Sequence, residues 1–410
     1  MYNKSKISIH EIIERECLAT MFQPLISMNR KSVIGYEALS RGINPYTEEV
    51  ISPLDLFAMC KDVETLTKLD RACRRKAFKT FAPIFHRDRS LILSVNVDAA
   101  VLGENTLSLG TTKKMISEFG IVANNIVIEI IESKAGNEDV LTRFVENCRK
   151  QGFLIALDDI GTGHSNLDRI PALKPDIIKI DRSLITDIDT KFHNYEVTRS
   201  LINLAERTGS LPLAEGIETT QEALTLMRLG IDVFQGYYFG KPMNADNVEK
   251  DHTAPIKSIA ARFKTHMMEK LALKKERDKN YKRIAKQLKN VLLCGKDTNF
   301  DSILSSFIDE NSHIECAYIL NERGRQVSQT ICNPFRLREN RRLIYQPAPV
   351  GADHSLKEYY LNIRSGKAWH TTCPYISLAS GNTCITVSTK LGSSEDSKVL
   401  CIDISTHINE

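Results

Sequence analysis

The run Leu154-Ile155-Ala156-Leu157-Asp158-Asp159-Ile160-Gly161-Thr162-Gly163 constrains the fold of this chain more than any other. A buried parallel strand reads as an unbroken apolar segment. Two adjacent aspartates at its end therefore face a site rather than a core, and Gly161 and Gly163 let the backbone turn sharply beside them. Carboxylates in that setting point to metal-assisted hydrolysis.

The same arrangement recurs along the first 250 residues. Short β-prone segments, each closing on carboxylates, amides or a lysine, fall at Phe22–Ile26, Val33–Arg41, Leu91–Asp98 and Ile126–Glu132 before the aspartate pair, and at Ile177–Asp181, Leu213–Glu218 and Val233–Tyr237 after it. Helical periodicity separates most of them, over Pro53–Val63, Leu66–Phe81, Thr112–Phe119, Glu138–Lys150, Tyr195–Arg207 and Thr220–Leu229. Strands alternating with helices predict a parallel sheet, and about eight such units predict a closed α/β barrel of the TIM-like (β/α)8 kind, whose functional groups gather at the C-terminal ends of the strands.

The 410 residues leave room for more than one domain. No apolar run is long enough to span a membrane, and Met1-Tyr2-Asn3-Lys4-Ser5-Lys6 is unlike a signal peptide, so a cytoplasmic protein is expected. Ten cysteines without a Cys-x-x-Cys pair read as buried thiols in a reducing compartment. Between Pro255 and Leu293 twelve lysines and arginines face three acids, which exceeds the chain's whole net charge of +4 and leaves the remainder negative. Polymeric nucleic acid is therefore not an expected partner.

That basic stretch is the expected linker, residues 251–295, between a barrel at 1–250 and a tail domain at 296–410. Pro255 suits a first helical turn, and Ile256, Ile259, Phe263 and Met267 share one stripe, as do Tyr281, Ile284, Leu288 and Leu292. The expectation is a long amphipathic helix, either a solvated connector or a basic membrane-surface helix, whose stripe is covered by a partner helix in a homodimer or by its own domain. The tail reads as a small antiparallel sheet with flanking helices: a helix at Phe300–Glu310, strands at Cys316–Leu320, Trp369–Ser377, Cys384–Thr389 and Val399–Ile404, and a helical Leu356–Ile363.

Taken together, Glu37-Ala38-Leu39 followed by Arg41, Asn96, Glu129 with Glu132, Asp158-Asp159-x-Gly-Thr-Gly, Lys179-x-Asp181, Glu215-Gly216-x-Glu218 and Gln235-Gly236-Tyr237 resemble the EAL family of cyclic-di-GMP phosphodiesterases over roughly residues 18–245. The tail, with Asp353, Tyr359-Tyr360, Trp369, Pro374-Tyr375-Ile376-Ser377 and Asp403, more loosely resembles Cache or PAS-like sensor domains with an unknown small ligand. The first resemblance implies hydrolysis of cyclic-di-GMP to linear pGpG with two Mg²⁺ or Mn²⁺ ions and inhibition by Ca²⁺. Glu37, Asn96, Glu129 and Asp158 match the first metal shell, and Asp158, Asp159 and Glu215 the second. Lys179 and Glu215, with Glu37, match the groups that hold and deprotonate the attacking water. Gln23, Leu39, Arg41, Asp181, Gln235 and Pro242 match substrate-binding positions, and Glu132 and Glu218 match supports of the loop Ile160 to Asn166. Ile160 and His164 depart from the family's usual residues there.

Any one of these side chains has an ordinary explanation, since a lone carboxylate at a strand end, such as Asp98, Glu132 or Glu218, is usually solvated or caps a helix. Six acidic or amide groups converging on one barrel mouth repel one another unless cations hold them. The alternative reading is a catalytically silent effector that binds cyclic-di-GMP without cleaving it.

Overall fold

The computed structural model describes residues 7–98, 110–131, 138–161, 167–248, 252–294, 299–337, 344–392 and 397–405. They form two compact units that divide between His266 and Met267.

The first unit is a closed eight-stranded barrel. Its strands are β1 (Leu18–Ser27), β2 (Ser32–Ile43), β4 (Ile92–Asp98), β5 (Ile126–Ile131), β6 (Leu154–Ile160), β7 (Ile177–Ile180), β8 (Leu211–Ala214) and β9 (Val233–Phe234). They are ordered β1-β9-β8-β7-β6-β5-β4-β2 and closed by the pairing of β1 with β2, while the short β3 (Val50–Ile51) adds to the edge of β2. The sheet is not wholly parallel, as the alternation of elements had suggested. β1 runs antiparallel to both β2 and β9, because four residues separate it from β2, and a parallel connection needs a crossover of a dozen or more.

Side chains alternate between the two faces of each strand, with two consequences for the interior. Leu25, Val127, Ala156, Ile177, Leu213 and Val233 form an apolar layer inside the barrel. One step of two residues beyond each of them stands a polar residue on the same face: Gln23, Glu129, Asp158, Lys179, Glu215 and Gln235. In β1 the polar residue precedes its apolar partner instead of following it, as the reversed strand requires. The opposite faces, including Phe22, Tyr36, Leu93, Ile128, Ile155, Ile178 and Phe234, pack against the surrounding helices in the main core.

Helical segments depart from expectation mainly at their ends. The first extends only over Pro53–Ala58, because Asp62 starts a new helix by accepting the Thr65 amide at 2.7 Å, and that helix then runs Val63–Arg87. Glu138–Lys150 and Thr220–Leu229 lie where the periodicity puts them.

One helix spans Thr253–Cys294. Ile256 and Ile259 are buried in the barrel's outer core, whereas Tyr281, Ile284, Leu288 and Leu292 are buried in the core of the second unit. The second stripe is thus covered by the chain's own second unit, whereas the first is covered only at Ile256 and Ile259, with Phe263 and Met267 half-buried and in neither core. Among the described residues no helix is long and apolar enough to cross a membrane.

The second unit is built on an antiparallel sheet of β10 (Ile314–Leu320), β11 (Ile331–Cys332), β12 (Trp369–Thr371), β13 (Tyr375–Ile376), β14 (Thr383–Leu391) and β15 (Lys398–Ser405), in the order β11-β10-β15-β14-β12 with β13 also on β14. The expected strand Trp369–Ser377 is split in two around Pro374, which has no amide hydrogen to give to a ladder. One sheet face, with Ala317, Ile319, Leu400 and Ile402, packs on the long helix and on Phe300–Glu310. The other, with Tyr318, Leu320, Val399 and Cys401, meets Tyr359, Tyr360 and Ile363 of the helix Glu358–Arg364.

Phe22 is fully buried between the rings of Tyr36 and Phe81, each centred 6.1 Å away. Phe22→Ala is expected to cost about 3–5 kcal/mol in a denaturant titration. A loss under about 1 kcal/mol would mean that this layer is not close-packed.

Candidate active site

Strand register, rather than any loop, brings the site together. Gln23 lies opposite Glu37, Glu37 beside Ser94 and Asn96 beside Glu129. Asp158 and Asp159 are the exception, since neighbours on a regular strand point to opposite faces. The β6–β7 pairing slips between Leu157 and Ile160, and Asp159 adopts a left-handed φ of 56°. This bulge re-aims the second aspartate, so that carboxylate oxygens of Asp158, Asp159 and Glu215 all lie within 4.8 Å of one another. Gly161, at φ 113°, completes the turn.

Lys179 stands at the centre and is only 2% exposed. Its Nζ is 2.5 Å from Glu215 Oε1, 3.0 Å from Glu129 Oε1, 3.2 Å from Asp158 Oδ1 and 3.7 Å from Glu37 Oε2. Glu37 is fixed further by Asn96 Nδ2, which donates to Oε1 at 3.0 Å, and by Gln235 Nε2, which donates to Oε2 at 2.6 Å. Gln235 Nε2 also reaches Gln23 Oε1 at 3.1 Å. Ser94 Oγ donates to Glu129 Oε1 at 2.5 Å. Ser94 was not among the expected site residues, although it shares the inward face with Asn96 two positions on, and that spacing was its signal.

Burial and like charge set the protonation of this cluster. Burial opposes the charge of Lys179, but Glu129, Glu215, Glu37 and Asp158 outweigh it and hold the ammonium well above its usual range. Burial also works against ionised Glu37, yet Lys179 and the hydrogen bonds from Gln235 and Asn96 bring it below the ordinary carboxylate range. Glu129 is driven well above that range by burial and then by Glu37. Glu215 is pushed up to about 8 by burial, with Asp158 and Glu37 adding to it, despite the ammonium beside it. Burial and Asp158 raise Asp159 as well. One ammonium thus faces more carboxylates than it can neutralise, and the surplus is met by protons. Hard divalent cations favour oxygen donors of this kind, and Glu129 Oε2, buried and without a hydrogen-bond partner among the described residues, is an oxygen with lone pairs to give. The residues present fit such an ion.

The remaining expected positions surround the mouth. Leu39 and Arg41 are half-buried at the end of β2, and Arg41 Nη1 donates to the Ser40 carbonyl at 2.8 Å. Asp181 accepts from the Ser183 amide at 2.8 Å as the N-cap of a short helix. Pro242 is half-buried beside Met243, which exchanges backbone hydrogen bonds with Phe22. Glu218 pairs with Arg182 at 2.9 Å, away from the Lys179 cluster. Glu132, His164 and the side chain of Asp98 lie outside the described residues.

The EAL domain model matches residues 8–242. The probable cyclic di-GMP phosphodiesterase PdeI of Escherichia coli (strain K12) is 31% identical over 241 residues, which cover 58% of this chain and 30% of PdeI. The uncharacterized EAL-domain containing protein YkuI of Bacillus subtilis (strain 168) is 28% identical over 362 residues, covering 84% of this chain and 85% of YkuI. The crystal structure of YkuI in complex with c-di-GMP and calcium superposes with a TM-score of 0.81 at 24% identity, over 98% of this chain and 100% of that one, a likeness of fold. Klebsiella pneumoniae BlrP1 in a manganese and cyclic di-GMP complex superposes with a TM-score of 0.51 at 26% identity, over 56% of each chain. The chain spans under a third of the length of PdeI.

In metal-free solution Glu215 keeps its proton in the folded state up to about pH 8 and loses it near 4.5 when unfolded. Its stabilising contribution is therefore full below pH 4.5 and is lost as pH rises toward 8. Relative to Glu215→Gln, the wild-type protein in EDTA should lose about 2–4 kcal/mol of unfolding free energy between pH 5 and 8. Parallel stability curves for the two proteins would show that Glu215 ionises normally.

Proposed function

The chain belongs to the EAL-domain family, and from that premise we propose that its barrel mouth hydrolyses one phosphodiester bond of cyclic di-GMP to give linear pGpG. The single observation that carries this reading is the Lys179 cage, in which four carboxylates, three on strands and Glu215 just past the end of β8, converge on one buried ammonium. PdeI, named a probable cyclic di-GMP phosphodiesterase, and BlrP1, solved with manganese and cyclic di-GMP, support the substrate and the use of a divalent ion.

Glu37, Asn96, Glu129 and Asp158 would hold one Mg²⁺ or Mn²⁺, and Asp158, Asp159 and Glu215 a second. Bound there, the ions supply Lewis acidity and a water of lowered pKa. The chain's own groups do the rest. Asn96 and Gln235 orient the Glu37 carboxylate from both sides. Lys179 Nζ holds the attacking water and offsets phosphate charge, and Glu215 Oε1, 2.5 Å from it, accepts the proton. Arg41 presents its guanidinium fork to a phosphate, while Gln23, Gln235, Asp181, Leu39 and Pro242 position ribose and guanine.

The protein works in the cytoplasm as a homodimer, and exposed Met268, Leu271 and Leu273 on the long helix support a contact between copies. A small ligand of the second unit sets the activity.

Purified protein supplied with Mg²⁺ or Mn²⁺ should convert cyclic di-GMP to pGpG, resolved by anion-exchange chromatography, and should fail with Ca²⁺, whose larger radius and looser geometry misplace the water. Glu37→Gln, Asp158→Asn and Lys179→Ala should each lower kcat at least about a thousandfold, roughly 4 kcal/mol. Arg41→Ala should instead raise KM about tenfold or more. Tight nucleotide binding with no product under either metal would make the protein an effector rather than an enzyme.

A further inference from the structure

The helix Glu358–Arg364 covers only part of its face of the second sheet. Beside it lies a cavity of about 560 Å³ whose lining includes Tyr318, His354, Tyr359, Tyr375, Ser377 and Asp403, a size suited to a small organic molecule. Asp403 is 3% exposed. Being next to Ile402 on β15, it points to the side opposite the long helix, the side where Tyr318 and Cys401 also lie.

Among the described residues the hydrogen-bond partners of Asp403 are neutral hydroxyls. Thr386 Oγ1 donates to Oδ1 at 2.8 Å, Tyr375 Oη to Oδ1 at 3.4 Å and Ser377 Oγ to Oδ2 at 3.5 Å. Among the described residues no lysine, arginine or histidine pairs with it, and the charge felt there is that of Glu315, of its own sign. Burial accordingly pushes this carboxyl up to about 7, ahead of the hydroxyls that pull it down. His354 brings no counter-charge, because burial and then Lys357 hold the imidazole below its usual range. That ring donates or accepts at Tyr359 Oη (2.7 Å) and Gln326 Oε1 (3.1 Å), and its centroid lies 5.3 Å from that of Tyr318. Lys357 and Glu358, both exposed at the rim, oppose each other in sign.

A buried acid that has no cation among the described residues and is walled by three tyrosines and a neutral imidazole is a receptor for positive charge, since carboxylate and ring faces both attract it. Among the described residues no arginine lines the cavity, and an anionic ligand would meet repulsion from the floor. We propose that this cavity binds a small organic ammonium ion, with its charged nitrogen on Asp403 and its methyl or methylene groups against the rings of Tyr318, Tyr359 and Tyr375. This site is distinct from the barrel mouth and does not depend on the activity proposed for it.

The test is titration calorimetry of the full chain with choline, ethanolamine and putrescine, each run beside its uncharged counterpart: 3,3-dimethylbutan-1-ol, ethylene glycol and 1,4-butanediol. At least one ammonium compound should bind with a Kd below about 1 mM and its counterpart about tenfold or more weaker. Asp403→Asn, which keeps the shape and most of the hydrogen bonds, should weaken that binding about tenfold or more, whereas Asp158→Asn in the barrel should leave it unchanged. If Asp403→Asn does not fold, the charged and uncharged pair in the wild-type protein decides the matter together with Asp158→Asn. The proposal is overturned if no ammonium compound binds below about 1 mM, if the uncharged counterpart binds as well, if Asp403→Asn binds normally, or if Asp158→Asn abolishes the signal.

Discussion

The buried ammonium of Lys179 is the interaction on which the barrel's polar end depends. Removing a charged group from water costs several kcal/mol unless partners replace the solvent, and here four carboxylates do so within 3.7 Å. The same arrangement leaves those carboxylates in excess. Glu37 stays ionised because Lys179, and then Gln235 and Asn96, hold it against burial, while Glu129 and Glu215 give way and keep their protons. A cluster arranged only for stability has no need of this surplus; apolar side chains of similar volume serve as well or better. A cluster that exchanges protons for divalent cations requires it.

The position of this cluster follows from strand periodicity. The barrel is plugged by one apolar layer, from Leu25 to Val233, and the polar layer stands two residues further along each strand, at the end where such barrels carry their chemistry. Those residues were legible in the amino-acid sequence because a polar residue closing a buried strand has few other reasons to be there: Glu129, Asp158, Lys179 and Glu215 could be picked out before any packing was known. Other features depended on information that local pattern does not contain. The antiparallel β1 lay hidden behind the general rule of alternation, although the short connection between Ser27 and Ser32 was visible. The bulge that turns Asp159 toward Asp158 is set by the β6–β7 register, which a single strand does not encode. Ser94 carries no charge to mark it, so only its spacing from Asn96 signalled it, and its hydrogen bond to Glu129 shows what it does.

The second unit shows the same limits from the other direction. Its helix Phe300–Glu310 and its long strands follow from periodicity, but the sequence held no obvious catalytic pattern, and Asp403 stood out only as part of a loose resemblance to sensor domains. Only the pairing of β14 with β15 puts Thr386 opposite Asp403, and only the fold closes Tyr318, Tyr359 and Tyr375 around it. In the helix Thr253–Cys294 the apolar periodicity was visible, while which of its positions enter a core, Ile256 and Ile259 in one unit and Tyr281, Ile284, Leu288 and Leu292 in the other, is a tertiary fact.

The central claim is that the carboxylates around Lys179 form a cation site kept neutral by protons until metal arrives. Calorimetric titration of nucleotide-free protein with Mn²⁺ at pH 7, repeated in two buffers of different ionisation enthalpy, counts the protons released on binding. The account predicts release of about one proton or more per chain at pH 7 and markedly less at pH 9, above the titration of Glu215 near 8. Mn²⁺ binding with no proton exchange at pH 7, or no binding at all, would contradict it.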